Sequence, residues 1–103
     1  MDGSNGYIES YYDYDNAIAV NINLITTDFT ADNDGLFIFE PFATSGNYYD
    51  VWIKVNNSVE FKVGIASGCA NAVSLPLKKG DVVKYSRGTY SGAYLYWIPK
   101  KNV

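Results

Sequence analysis

The hydrophobic and polar positions of the chain alternate in short runs, a pattern that predicts strands rather than helices. Runs rich in Val, Ile, Tyr and Phe are interrupted by Gly, Asn, Asp, Ser or Pro every 8 to 12 residues. Eight strands are predicted, at residues 7–12, 17–24, 36–42, 48–55, 59–66, 72–77, 82–85 and 92–99. We therefore expect an all-β fold, an antiparallel β-sandwich with jelly-roll topology and about eight strands. Residues 1–103 are expected to form one domain, with residues 1–16 as a peripheral arm or first strand.

A hairpin is predicted where Asn56-Asn57-Ser58 joins two alternating runs, because Asn tolerates the positive φ of tight turns. One face of the first run is apolar and is expected in the core: Tyr49, Val51, Ile53 and Val55. The other face is expected to meet water: Tyr48, Asp50, Trp52, Lys54 and Asn56.

Two strands, LFIFEPF (36–42) and AYLYWIP (93–99), are apolar or aromatic on both faces. An antiparallel sheet with one solvated side should not contain such strands. The second face of these strands must be covered, either by another segment of the same chain or by a partner subunit. We favour a partner subunit. The residues expected to divide between core and subunit interface include Phe37, Phe39, Tyr94, Tyr96, Trp97 and Ile98, and either alternate set can face inward.

The composition and charge of the chain limit the classes of partner that it is expected to bind. The chain carries a net charge of −3 with its eight basic residues scattered along the sequence, which predicts no binding of nucleic acid or of an anionic membrane. The first residues show no signal peptide, and no apolar run approaches the roughly 18 residues of a membrane span. The single Cys69 is expected to be a small buried hydrophobic residue.

No catalytic or metal site is predicted. The absence of histidine excludes Ser-His-Asp and Cys-His arrangements and His-based metal sites. Asp13 and Asp15 are expected on one face of a strand, without an identifiable partner for acid–base chemistry. DFTADNDG (28–35) lacks the acids of a calcium loop at Thr30 and Pro41 and is expected to be a turn. We expect no enzyme activity, no cofactor and no metal.

Tyrosine-rich segments are the candidates for recognition: SGNYYD (45–50), SRGTYSG (86–92) and YYDYDN (11–16). Tyr offers a large rigid surface at low entropic cost, and Ser, Gly and Asn offer adaptable hydrogen bonds. The candidate ligand-binding residues are Tyr48, Tyr49, Arg87 and Tyr90. Cross-strand packing of the tyrosines and a solvated Arg87 are the alternatives.

LPLKKGDVV (75–83) is predicted to be a turn, because Gly80 permits positive φ and Asp81 can bond nearby backbone. Four segments follow one another along the chain: ADNDGLFIF (31–39), the 50–63 hairpin, LPLKKGDVV (75–83) and SGAYLYWIPKK (91–101). Their order resembles that of bacteriophage tail-fibre tips and of the jelly-roll heads of complement C1q and tumour necrosis factor. The sequence departs from that group in that its residues before Ala17 carry no collagen or coiled-coil repeat.

The resemblance implies a non-enzymatic homotrimer whose third and last strands lie in an inner sheet. It implies a receptor-binding tip in the virion, assembled in the bacterial cytoplasm, that contacts a host surface glycan or protein. The alternative is a structural assembly or decoration protein that binds other virion subunits.

Overall fold

The computed structural model describes residues 11–101 and, over that range, contains eight β-strands and a single 3-10 turn. The turn is Tyr14–Asn16, and the strands are β1 (Ile18–Ala19), β2 (Phe29–Thr30), β3 (Gly35–Phe42), β4 (Tyr49–Val55), β5 (Phe61–Ile65), β6 (Val73–Leu77), β7 (Val82–Gly88) and β8 (Gly92–Pro99). The predicted all-β fold is confirmed. No helix in this part of the chain has the length and apolarity needed to cross a membrane.

The strands form two antiparallel four-stranded sheets, ordered β1-β8-β3-β6 and β2-β7-β4-β5. The β4–β5 connection stays within one sheet, whereas every other connection between consecutive strands crosses to the opposite sheet. The two sheets pack face to face as a β-sandwich, which is the arrangement that buries one apolar face of each.

The core lies between the sheets and is built from alternate residues of the central strands. Phe37 and Phe39 of β3 are fully buried, as are Val51 and Ile53 of β4. Each such side chain contributes about 1.5–3 kcal/mol by leaving water. The ring of Trp97 (β8) lies 5.2 Å from that of Phe29, which extends the core across both sheets.

The two predicted turns are confirmed. Asn56 adopts a φ of 54°, and Ser58 N–H donates to the Val55 carbonyl at 3.0 Å, closing the β4–β5 hairpin. In the β6–β7 turn Gly80 has a φ of 91°, and the Asp81 carboxylate accepts a hydrogen bond from Lys78 N–H at 2.8 Å. The charged residues of LPLKKGDVV therefore form a turn.

A β-bulge lies at the junction of β4 and β7. Trp52 is opposite Arg87, and Ile53 is opposite Tyr85, so Ser86 has no partner on β4. A bulge bends its strand and re-aims the neighbouring side chains. Here Ser86 and Arg87 both bond to the Glu60 carboxylate, and Arg87 also lies over the outward-facing Trp52.

Some predicted elements are wrong in extent. The strand predicted at 17–24 is shorter and spans Ile18–Ala19. Val20 N–H still donates to the Leu95 carbonyl of β8 at 2.8 Å, and the chain then turns at Leu24, which is 1% exposed. The short strand Phe29–Thr30 lies where only a turn was predicted. Of the strand predicted at 7–12, residues 7–10 lie outside the described residues, and Tyr12 forms an isolated bridge with Lys100.

Two local predictions are also wrong. Asp13 and Asp15 do not share a strand face, since Asp13 precedes the 3-10 turn and accepts a hydrogen bond from the Asn16 amide at 2.7 Å. Cys69 is exposed rather than buried, because it lies in the β5–β6 connection, where its backbone carbonyl accepts from Ala43 N–H.

Candidate functional site

An apolar surface covers the solvent side of the β1-β8-β3-β6 sheet. It follows from the alternation of β3 and β8, whose core-facing residues are Phe37, Phe39, Leu95 and Trp97. The side chains on the opposite side define what we call the aromatic face: Leu36, Ile38, Phe42, Tyr94 and Tyr96, with the carboxylate of Glu40 between Ile38 and Phe42. The structure thus assigns each alternate set of the two doubly apolar strands to a side.

The aromatic face extends across the two central strands, with Glu40 opposite Tyr94 as its charged residue. Ile38 is directly opposite Tyr96, and the rings of Phe42 and Tyr94 lie 5.6 Å apart. Gly92 makes room for this packing, because a Cβ at that position would collide with the Phe42 ring. Tyr94 remains 55% exposed. Ile98, opposite Leu36, is instead 4% exposed.

Four connections meet at one end of the sandwich, which we call the loop end: β1–β2, β3–β4, β5–β6 and β7–β8. Thr44 N–H donates to the Ser91 hydroxyl at 3.0 Å, and Gly46 N–H donates to the Ser67 hydroxyl at 2.8 Å. These bonds tie three of the loops together. Tyr48 projects from this end and is 77% exposed.

The other tyrosines proposed for recognition at this end pack into the protein. The Tyr90 ring lies 5.6 Å from Phe39 in an edge-on arrangement, and its hydroxyl donates to the Asn23 side-chain oxygen at 3.0 Å. Burial raises the pKa of Tyr90. Tyr49 is half-buried against the core. Tyr48 is therefore the tyrosine of this group whose ring is available to a ligand.

Arg87 lies away from the loop tips, on the solvent side of the β2-β7-β4-β5 sheet. Its guanidinium carbon is 4.0 Å from the centre of the Trp52 ring, and its Nε donates to Glu60 Oε1 at 2.8 Å. The Ser86 hydroxyl donates to the other Glu60 oxygen. Hydrogen bonds from Ser86 and then Arg87 lower the pKa of Glu60.

Three lysines share this side with Trp52 and Arg87. Lys62 is opposite Trp52 on β5, and Lys54 is opposite Lys84 across β4 and β7. We call Trp52, Lys54, Lys62, Lys84 and Arg87 the basic face. Sequence reasoning missed this grouping, because the residues are far apart in the chain and the bulge shifts the alternation of β7. The alternation of β4 did place Trp52 and Lys54 together on the solvent side.

Two acidic residues, Asp34 of the segment compared with a calcium loop and Asp81 of the β6–β7 turn, are held by hydrogen bonds. The Asp34 carboxylate accepts from Lys79 N–H at 2.9 Å. Asp81 accepts from the Asn56 amide at 3.0 Å, which with the Lys78 backbone bond lowers its pKa. Within residues 11–101, no group of three or more His, Cys, Asp or Glu is arranged to hold a metal ion. No protein-family model matches the chain, and comparisons with curated proteins and with solved structures find no similar protein.

Proposed function

We propose that the protein is a non-enzymatic recognition module that assembles as a homotrimer through the aromatic face. In this proposal it is the receptor-binding tip of a phage tail fibre or related virion appendage, and the loop end contacts a host surface glycan or protein. The observation that carries the proposal is the aromatic face itself, with a tyrosine that is 55% exposed at position 94.

The physical reason for a partner is the cost of leaving such a surface in water. An antiparallel sheet with a solvated side normally carries polar residues there. On β3 and β8 the solvent side instead carries five apolar or aromatic side chains, with Glu40 as the one charged residue among them, over about 20 Å from Leu36 to Phe42. A largely apolar surface of this kind marks an interaction site.

The strand arrangement supports a jelly-roll head. The order β1-β8-β3-β6 facing β2-β7-β4-β5 is what two interlocked Greek keys of eight strands produce. It places the third and last strands side by side, as in the trimeric heads that the sequence resembles. A threefold assembly would bring three loop ends to one side, so that three weak contacts act together.

Two matched substitutions separate assembly from recognition. Tyr96→Glu places a charge on the aromatic face, where burial without a partner would cost several kcal/mol and dissociate the trimer. Tyr48→Glu makes the same chemical change on a ring that is 77% exposed at the loop end. We expect Tyr96→Glu to be monomeric, and Tyr48→Glu to remain trimeric but to bind host cells more weakly than the parent protein.

Light scattering reports the mass of each variant, and sedimentation with intact bacteria reports cell binding. A trimer that is retained on no bacterial strain would favour the structural alternative, in which the module binds other virion subunits. If Tyr96→Glu assembles as the parent protein does, the aromatic face is not the subunit interface.

A further inference from the structure

The basic face is a second surface that the assembly proposed above leaves free, because it lies on the opposite side of the sandwich from the aromatic face. Its residues form two rows across three strands. One row is Lys62, Trp52 and Arg87, and the next contains Lys54 and Lys84. Half of the eight basic residues of a chain with net charge −3 therefore lie on one side of one sheet.

The lysines of this face outnumber the acids beside them, and Glu60, whose pKa Lys54 helps to lower, is already bound by Arg87. Among residues 11–101, the ion pair found within 4.0 Å is that of Arg87 with Glu60. Lys54 and Lys84 are directly opposite each other, an arrangement of like charges that destabilises a strand pair. The acids nearest in the strand register, Asp50 and Glu60, are fewer than the cations. An anionic ligand would relieve this repulsion.

Arg87 is already oriented for such a ligand. Stacking on Trp52 at 4.0 Å and the bond from Nε to Glu60 at 2.8 Å fix the plane of its guanidinium. Only one of its five N–H donors takes part in that bond, and the side chain remains 60% exposed. A planar guanidinium held in this way suits bidentate bonding to a carboxylate.

The size of the surface limits what it can hold. Three adjacent strands span about 10 Å, and two rows along a strand span about 7 Å. That area matches one or two sugar rings. A nucleic acid would need many phosphate contacts for affinity and would meet the Glu60 carboxylate. An acidic sugar can instead donate its hydroxyl groups to Glu60 while its carboxylate meets the cations.

We propose that the basic face binds a carboxylate-bearing sugar residue of an acidic glycan. Arg87 binds the carboxylate of the sugar, and Lys54 and Lys84 add positive charge beside it. Trp52 supplies an apolar edge against which the sugar ring packs. This inference rests on the proposed recognition function, since it names a ligand class, and it adds a contact on the side of the sandwich to the contact proposed for the loop end.

Nuclear magnetic resonance of the full chain tests the site with tetragalacturonate as probe. The two tryptophans provide an internal comparison, since Trp52 lies on the basic face and Trp97 is 5% exposed in the core. We expect the Trp52 indole N–H signal to shift on titration and that of Trp97 to stay in place. Neutral maltotetraose should move neither signal.

Charge-matched variants locate the binding. Arg87→Gln and Lys84→Gln should each weaken tetragalacturonate binding about tenfold or more, the effect of losing one charge-assisted contact of about 1.4 kcal/mol. Lys79→Gln removes the same charge from the exposed β6–β7 turn and should have no effect. The site is refuted if Lys79→Gln weakens binding as much as Arg87→Gln does, or if the Trp52 signal does not move.

Two further probes test the ligand class. Tighter binding of a sulfated tetrasaccharide would overturn the carboxylate assignment, and tighter binding of a single-stranded oligonucleotide would overturn the assignment to a glycan. Cell binding separates this inference from the proposed function. If Arg87→Gln binds cells as well as the parent does, the basic face is not the recognition site. If the parent binds tetragalacturonate but no cells, the site stands and the host-receptor function fails.

Discussion

Gly88 and Gly80 offer a matched test of how β7 is held against β4. Both residues have a φ of 91°, so alanine suffers the same backbone strain at either position. Their surroundings differ. A Cβ on Gly80 would meet nothing within 4 Å, whereas a Cβ on Gly88 would lie 2.9 Å from Val51 Cα and closer still to the Asp50 carbonyl oxygen.

The expected losses in the free energy of unfolding follow from these distances. For Gly80→Ala the positive φ costs about 1–2 kcal/mol, offset by about 0.4–1 kcal/mol from the stiffer unfolded chain, so we expect a net loss near 1 kcal/mol. Gly88→Ala adds a contact with backbone that cannot rotate away. Forcing extra atoms into packed structure costs about 1–3 kcal/mol more, which brings its loss to about 2–4 kcal/mol.

Urea and thermal unfolding of the two variants measure the difference. For a domain of this size each kcal/mol lowers Tm by about 4–8 °C, so Gly80→Ala should lose about 5 °C and Gly88→Ala at least twice as much. Gly88→Ala should also disturb the stacking of Arg87 on Trp52, because it pushes the end of β7 away from β4. Equal destabilisation by the two variants would refute the close approach at Gly88.

Further predictions concern the core, the turns and the loop end. Trp97→Ala should lose about 3–5 kcal/mol at any protein concentration, whereas the loss for Tyr96→Ala should depend on concentration in urea titrations, because only the latter residue is on the aromatic face. The Asp81 carboxylate has a lowered pKa, so its stabilising effect is complete above about pH 4 and is lost as pH falls below that; acid unfolding of Asp81→Asn should lack this part of the pH dependence. Tyr90→Phe removes the hydrogen bond to Asn23 and should cost about 1 kcal/mol by thermal unfolding, and an unchanged Tm would contradict that bond.

Alternation along the chain predicted the elements whose pairing is regular. The β4–β5 hairpin and β8 follow directly from it, and β8 has the predicted bounds of 92–99. The sequence did not predict β2, since two residues flanked by turn-forming ones carry no detectable period and Phe29–Thr30 is a strand only because β7 lies beside it. It overestimated β1, because the backbone pairing with β8 ends after Val20 and the apolar Leu24 is buried from a turn rather than from a strand.

The candidate surfaces, like the strands, were predictable from the sequence only in part. The two-sided apolarity of β3 and β8 pointed to an exposed face, but which alternate residues face outward depends on the strand pairing. Arg87 was singled out for its neighbouring tyrosines, whereas its contact is Trp52, which the bulge at Ser86 brings opposite it. The bulge has no signature in this sequence. The basic face can therefore be recognised only from the strand register of the folded protein.

The measurement that tests the account most directly is the mass of the parent protein in solution, by size-exclusion chromatography with light scattering over a range of concentrations. Assembly as a trimer predicts a species near 34 kDa, three times the 11.4 kDa of one chain. A monomer of 11.4 kDa that persists at the highest concentration would contradict the assembly through the aromatic face.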